Sequence, residues 1–466
     1  MTTAIAELFA ELRGSFRGEL IRPGDLEFPQ AYKIWNAMAQ RTPALIARCA
    51  DVADVQLLVR AATQTGVLTA VRCGGHSLAG FSSCDGGVVI DLSRLRQVEV
   101  DDLHCRARFA GGCLLGTIDA ATQKAGLVFP AGVVSHTGAG GLVLGGGTGW
   151  FTRMFGLSCD NVEGFTLVTA DGSLVHACAR ENPDLNWALR GGGGNFGVVT
   201  EFEVRLHRLT SVLLASSFCF DDDIVRVLEA WRDFMPVAPD ELKWNISLRL
   251  APNSHNLPAG LQGKPVLSNS LLWCGDPVEG HRLMSRICSV GNHVGVTKDI
   301  ISYLSLQTMA DEDFPHGRRY YTKSGYFSTL EQCVIQRMAD SLSSIPSRNT
   351  QIELAYLGGA AGRVAPEETA FGDRSAPFIL NLLADWAEPA EDAANIAWVR
   401  SLFESLRPSM RPGVYVNFMS GDEQERVPEA YRERWGKLLK VKAHYDPTNF
   451  FRLNQNIRPT TAAQKS

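Results

Sequence analysis

Arg72-Cys73-Gly74-Gly75-His76-Ser77 is the stretch on which the reading of this chain turns. It follows an extended, apolar-leaning run, Val67-Leu68-Thr69-Ala70-Val71, and leads into Leu78-Ala79-Gly80. Two adjacent glycines let the backbone take positive φ and approach a ligand that side chains would otherwise hold off. The imidazole after such a turn is aimed by a stiff loop. A short Gly-Gly-His is also found in plain loops, so its weight depends on what accompanies it.

The densest glycine stretch lies about sixty residues on. It contains Ser135-His136-Thr137-Gly138-Ala139-Gly140-Gly141 and, shortly after, Gly145-Gly146-Gly147. So much glycine costs chain entropy, a cost tolerated where backbone N–H groups must wrap a large anionic cofactor. The competing reading is a flexible linker, but such linkers lack the Val, Leu and Trp150 interleaved here. A second cluster, Gly191-Gly192-Gly193-Gly194-Asn195-Phe196-Gly197, opens a strand at Val198-Val199.

With 466 residues, 45% hydrophobic and 20% charged, the chain can bury a large core and is expected to hold more than one domain. A net charge of −5 without a long basic run argues against nucleic acid as a partner. Eleven scattered cysteines include no Cys-x-x-Cys pair, so no disulfide framework or zinc site is signalled and no metal is expected. Reduced thiols fit a cytoplasmic protein. The N-terminus lacks the apolar core of a signal peptide, and no run reaches the roughly 18 apolar residues of a membrane span.

Patterning predicts a helix over 4–16 and another from 52 to 65, with Asp51 as N-cap, Asp54 as its acidic partner and Gly66 as the stop. Strands are predicted at 88–92, 106–110 and 198–206, and a hairpin turning at Asp171-Gly172. A helix is predicted over 114–125, stopped by Gly126. From about residue 209 glycine thins out, and strands (213–220, 242–250, 265–272) alternate with helices (223–234, 330–342). An amphipathic helix over 428–442, opened by Pro428, runs into Tyr445-Asp446-Pro447 and Asn454-Gln455-Asn456.

Together these stretches resemble the vanillyl-alcohol-oxidase superfamily of flavoproteins, in its berberine-bridge-enzyme-like branch. The likeness rests on the two glycine loops, Phe155-Gly156-Leu157-Ser158-Cys159-Asp160-Asn161, Trp187-Ala188-Leu189-Arg190-Gly191, Asn195-Phe196-Gly197-Val198-Val199 and the terminal Tyr445 to Asn456 segment. It implies an α+β chain: a two-subdomain PCMH-type FAD-binding domain (1–208, core from about 38), a substrate domain with an antiparallel sheet flanked by helices (209–419), and a C-terminal return (420–466). It further implies FAD bonded through its 8α-methyl to His76. Many relatives add a second link from a cysteine at the position of Val134; valine cannot form it, so a single link is expected. Cys73, Cys84 and Cys159 are read as packing residues, although Cys73 lies in the cofactor loop. Backbone donors to the cofactor are expected from Arg72, Cys73, Gly74, Gly75 and Ser77, and from His136, Thr137, Gly138, Gly140, Gly141, Gly145 and Gly147. Val199 is expected at the adenine end, with Asn454 and Asn456 closing over the cofactor. Ala139 matches a position where small residues leave room for O2, favouring an oxidase over a dehydrogenase.

Oxidising an alcohol also needs a base. Gln351 and Glu353 share one face of a strand, and Glu353 is a candidate for tuning by burial, or else an exposed edge residue. Tyr415, in Gly413-Val414-Tyr415-Val416-Asn417-Phe418, resembles a family strand near the flavin; it serves as base if neighbouring cations acidify it, with Asn417 orienting it, or else is a core tyrosine. Lys323, alternating with Arg319 and Tyr321, is a cation that acidifies a nearby phenol or binds a carbonyl, or else a surface lysine. The expected partners are a small-molecule substrate and O2. Monomer and homodimer are both left open, as are a dehydrogenase using another acceptor and an inactive flavin-binding homologue.

Overall fold

The computed structural model describes residues 3–253 and 255–459. Four short strands, β1 (Glu19–Ile21), β2 (Leu45–Arg48), β3 (Thr69–Arg72) and β4 (Val88–Asp91), pair in the order β1-β2-β4-β3. β4 lies parallel to both β2 and β3. The helix Val52–Thr65 packs on this sheet; it starts where Asp51 accepts a 3.0 Å hydrogen bond from the Asp54 amide and ends at Gly66, φ 65°. Asp54 departs from its expected role beside the cap. Its carboxylate accepts from the amides of Arg17, Gly18 and Ala50, each at 2.9 Å, because a buried carboxylate must find donors.

A second, antiparallel sheet contains β5 (Val98–Asp101), β6 (Arg106–Ala110), β7 (Val162–Val168), β8 (Leu174–Cys178) and β9 (Val198–Arg205), in the order β5-β6-β9-β7-β8. β7 and β8 form the expected hairpin, and Gly172 in its turn has φ 81°. The helix Leu115–Thr122 tightens to a 3₁₀ turn, Gln123–Ala125, and stops at Gly126.

The third sheet has seven antiparallel strands: β10 (Ser211–Cys219), β11 (Leu242–Leu250), β12 (Pro265–Trp273), β13 (Val294–Ser302), β14 (Arg319–Phe327), β15 (Gln351–Tyr356) and β16 (Phe378–Trp386). Their order is β13-β10-β12-β11-β15-β16-β14. Helices Asp222–Phe234, Gln332–Ser341 and Asp392–Leu406 cover one face, burying Trp231, Val334 and Phe403 against it. Strand β11 alternates strictly. Leu242, Trp244, Ile246 and Leu248 are buried in the helix layer, while Lys243, Asn245, Ser247 and Arg249 fall on the other face. On that polar face Lys243 Nζ donates to the Gly149 carbonyl, which sets the end of the second glycine loop against the sheet.

The helix expected over 428–442 is broken. Val427–Tyr431 and Trp435–Tyr445 are separated by a 3₁₀ turn, Arg432–Arg434, where Arg432 takes φ 48° and pairs with Asp373. Val416–Phe418 is likewise a 3₁₀ turn, entered from an extended Tyr415, rather than the resembled strand. All eleven cysteines are free, and among the described residues no helix is long and apolar enough to cross a membrane.

Candidate active site and cofactor cradle

The two glycine loops cross backbone to backbone. A Cβ on Gly74 would lie 2.4 Å from the Gly138 amide nitrogen, and one on Gly138 would lie 2.3 Å from the Gly74 nitrogen. Glycine is required on both sides of that crossing. Gly75, φ 73°, then turns the chain so that His76 points at the second loop. His76 Nε2 lies 2.7 Å from His136 Nδ1, and the Trp35 ring stacks on His76 at 4.9 Å. Burial, with His136 beside it, holds the His76 imidazole well below the usual histidine range, so the ring is neutral at pH 7. Trp35 in turn stacks on Tyr320 at 3.7 Å, linking this loop to the start of β14.

The other loop residues hold the crossing in place. Arg72 donates to Asp91 at 2.8 Å through Nη2. Cys73 rests its thiol on the Cys113 carbonyl at 3.4 Å, pushed up to about 11 by burial, as a packing residue does. Ser77 Oγ accepts from the Phe81 amide at 3.0 Å. The Thr137 amide donates to the Val134 carbonyl at 3.1 Å, while Gly140 and Gly141 lie in the first turn of the helix Ala139–Leu144. Asp311 clamps Ser135 through its amide at 2.8 Å and its hydroxyl at 2.5 Å.

A large anionic cofactor fits this cradle. Arg72 Nη1, Asn454 Oδ1 and Asn456 Oδ1 are buried without a partner in the chain itself. A Cβ on Gly141 would meet nothing within 4 Å. A cavity of about 340 Å³ adjoins the first loop, lined in part by Arg72, Cys73, Gly74 and Gly75. At Val199 a bulge interrupts the pairing of β9 with β7, just past Gly197. The C-terminal segment is stitched to the second glycine cluster: Asn195 donates to Gln455 O at 3.1 Å and accepts from the Ile457 amide at 2.9 Å. Asn454 Nδ2 donates to Gly194 O at 3.2 Å.

Tyr415 reaches into the same loop. Its hydroxyl accepts from the Gly147 amide and from Asn417 Nδ2, each at 2.9 Å, and Asn417 also donates to Leu142 O at 3.1 Å. Burial pushes the phenol up to about 12, and these two donors only partly offset it. The acidified phenol expected of a base is therefore not what the site provides; Tyr415 and Asn417 form a strut beneath the loop.

The polar face of the seven-stranded sheet carries a different candidate. Glu353 Oε2 accepts from Asn381 Nδ2 at 2.7 Å, and Gln351 Oε1 accepts from Ser247 at 2.8 Å. Half-buried on this face, Glu353 has its carboxyl raised above the ordinary range by burial, against the pull of Asn381, Arg249 and Lys243. Burial lowers the Lys243 ammonium to about 8, and its Nζ donates to the Gly149 carbonyl. That bond joins the sheet face to the end of the glycine loop.

Comparison with known proteins identifies the architecture. Residues 43–178 match the model of the FAD binding domain, and residues 414–458 match that of the berberine and berberine like family. (R)-6-hydroxynicotine oxidase of Paenarthrobacter nicotinovorans is 31% identical over 96% of this chain and 97% of its own length. An FAD-linked oxidoreductase of Dictyostelium discoideum is 30% identical over 98% and 97%. The crystal structure of 6-hydroxy-D-nicotine oxidase from Arthrobacter nicotinovorans matches with a TM-score of 0.85 at 29% identity, covering 96% of this chain and 99% of that one. The chain belongs to the berberine-bridge-enzyme-like FAD-linked oxidoreductases.

In this oxidoreductase Lys323 stands apart from the site. Alternation along β14 sends Tyr321 and Lys323 to the helix-covered face, where Lys323 pairs with Asp422 and Glu423, each at 3.3 Å. Tyr320 and Tyr326 take the opposite face. Lys243, Arg249 and Asn381, which do flank Glu353, have no motif of their own. Their signal is the strict polar alternation of a central strand. His316 and Trp35 carry none, since only folding brings them to His76.

Proposed function

We propose that the chain is an oxidase whose FAD is attached through the flavin 8α-methyl to His76 alone. Held by His76 and the two glycine loops, the flavin would supply a hydride acceptor at N5 for a C–H beside an alcohol, hemiacetal or amine, and a route for the electrons to O2 as H2O2. The observation that carries the reading is Glu353. It sits on the polar face of β15, hydrogen-bonded to Asn381, with a carboxyl raised by burial. A base so placed takes the substrate's hydroxyl or ammonium proton as the hydride leaves. Asn381 holds the carboxylate in position, and Lys243 and Arg249 favour its ionised form.

Each remaining group has one task. The neutral His76 imidazole offers a nucleophilic nitrogen for the covalent link. Val134 supplies no thiol, so His76 carries it singly. Tyr415 and Asn417 hold residues 142–147 against the cofactor. Ala139 presents minimal bulk ahead of Gly140, in keeping with access for O2. The polar row of β11, Lys243 to Arg249, suits a polar substrate.

Anaerobic mixing with candidate alcohols, sugars and cyclic amines tests the reading, with flavin bleaching as the signal. Admission of air should then restore the colour rapidly with stoichiometric peroxide. Bleaching without rapid reoxidation would make the enzyme a dehydrogenase with another acceptor.

A further inference from the structure

His76, His136 and His316 come from three loops far apart in sequence, yet each brings one ring nitrogen to within 4.8 Å of the others. The rings also pack on one another. The centroids of His136 and His316 are 4.9 Å apart, and His316 stands edge-on to His76 at 5.3 Å. The cluster grades outward, from part-buried His76 and His136 to exposed His316. Among the described residues it is the group of His, Cys, Asp and Glu side chains arranged to hold a metal ion.

We propose that these three histidines form a binding site for a divalent transition metal of the zinc type, with water completing a tetrahedral shell. Zinc takes imidazole nitrogens at about 2.0–2.1 Å, and three imidazoles with one open position is an established stoichiometry for it. Tetrahedral ligands at that radius lie about 3.4 Å apart. The His76–His136 contact of 2.7 Å therefore has to open slightly, the metal replacing the proton the two nitrogens share. His316 has to close in. It precedes Gly317, φ 86°, on an exposed loop, where such a movement costs little.

The frame favours occupancy because it is fixed in advance. Asp311 clamps Ser135 next to His136, and Trp35 stacks on His76. Because His76 turns Nε2 toward His136, its Nδ1 remains for a flavin link, and one ring can serve both ligands. Metal binding is nonetheless a separate property from the proposed oxidase chemistry, and it is read without turnover.

The test titrates the purified full-length chain with Zn2+ in a calorimeter and with Co2+ by visible absorption. Alongside it run His316→Ala, on the exposed loop, and His136→Asn, which keeps a hydrogen-bond acceptor toward His76. A single zinc per chain is expected, with Co2+ giving the intense visible bands of a tetrahedral site. Each variant should weaken binding by at least about tenfold. Absence of binding, or affinity unchanged in both variants, would overturn the proposal. Covalent flavin, followed on denaturing gels of the same samples, reports on the His76 link separately.

Discussion

His76 and His136 face each other nitrogen to nitrogen, with Nε2 of the first 2.7 Å from Nδ1 of the second. If His136 accepts, His76 keeps its proton on Nε2 and presents Nδ1 as the free lone pair. His76→Ala should therefore abolish covalent flavin, while FAD is still bound reversibly by the cradle. His136→Ala should leave FAD binding intact but slow its attachment. In-gel flavin fluorescence after denaturation, followed over time, reads both. Full covalent loading of the His76 variant would place the link elsewhere.

Replacing Glu353 with glutamine keeps the hydrogen bond to Asn381 and removes the base. Loss of a positioned general base costs about 10²–10⁴-fold, so the rate of flavin reduction by substrate should fall within that span. The wild-type enzyme needs the carboxylate ionised, so kcat/KM should fall as pH drops through a Glu353 pKa lying above the ordinary glutamate value. That acid limb should disappear in the variant. A limb unchanged in Glu353→Gln would assign the proton transfer to another group.

Tyr415 gives the contrasting case. With its phenol raised to about 12, it stays protonated throughout the working range. Tyr415→Phe removes the acceptor of the Gly147 amide, and a buried donor left unsatisfied costs about 1–3 kcal/mol. The expected result is a lower Tm and weaker FAD retention, with a much smaller loss in reduction rate than in Glu353→Gln. A collapse of the reduction rate with Tm unchanged would restore Tyr415 as the base.

These contrasts show what the sequence could and could not carry. Local signals survive folding: Asp51 and Gly66 bound their helix, and Gly126 and Asp171-Gly172 turn the chain where expected. Backbone chemistry also projects forward, because Gly74 and Gly138 have to be glycine wherever two main chains touch. Long-range pairings do not project. Nothing near Arg432 announces that Asp373 will break the helix there, and nothing near Lys323 announces Asp422. The face that Lys323 takes was settled by strand register, which alternation alone leaves two ways to read. Lys243 and Arg249 were visible as polar alternation in β11, yet their meaning depends on that strand lying at the sheet centre. Strand order is a property of the whole chain.

Lys442 and Asp446 form a wholly buried ion pair at 2.6 Å, and the ammonium also donates to Asn195 O and Phe451 O. Asp446 in turn accepts from the amides of Phe450 and Phe451 at 2.7 and 2.8 Å. This knot holds the segment bearing Asn454 and Asn456 against the second glycine cluster. Lys442→Met strands a buried carboxylate, which costs about 3–5 kcal/mol. Differential scanning calorimetry should show a clear fall in Tm, and limited proteolysis should cut first near the C-terminus. An unchanged Tm would mean that the segment is held by its asparagines alone.

Asp119 supplies the pH-dependent prediction. Burial raises its carboxyl from an ordinary 3.8 to about 7, although Tyr303 donates to Oδ1 at 2.7 Å; Oδ2 has no partner. A group whose pKa is higher in the folded than in the unfolded chain favours folding while it is protonated in both. Its contribution is therefore full below about pH 4 and is lost as pH rises through about 7. At about 1.4 kcal/mol per unit, the amount at stake is about 4 kcal/mol. Asp119→Asn keeps an acceptor for Tyr303 and removes the titration. Tm measured between pH 5 and pH 9 should fall with rising pH in the wild type, and this component of the slope should vanish in the variant. Parallel curves for the two proteins would mean that Asp119 is already ionised at pH 5, its charge solvated within the fold.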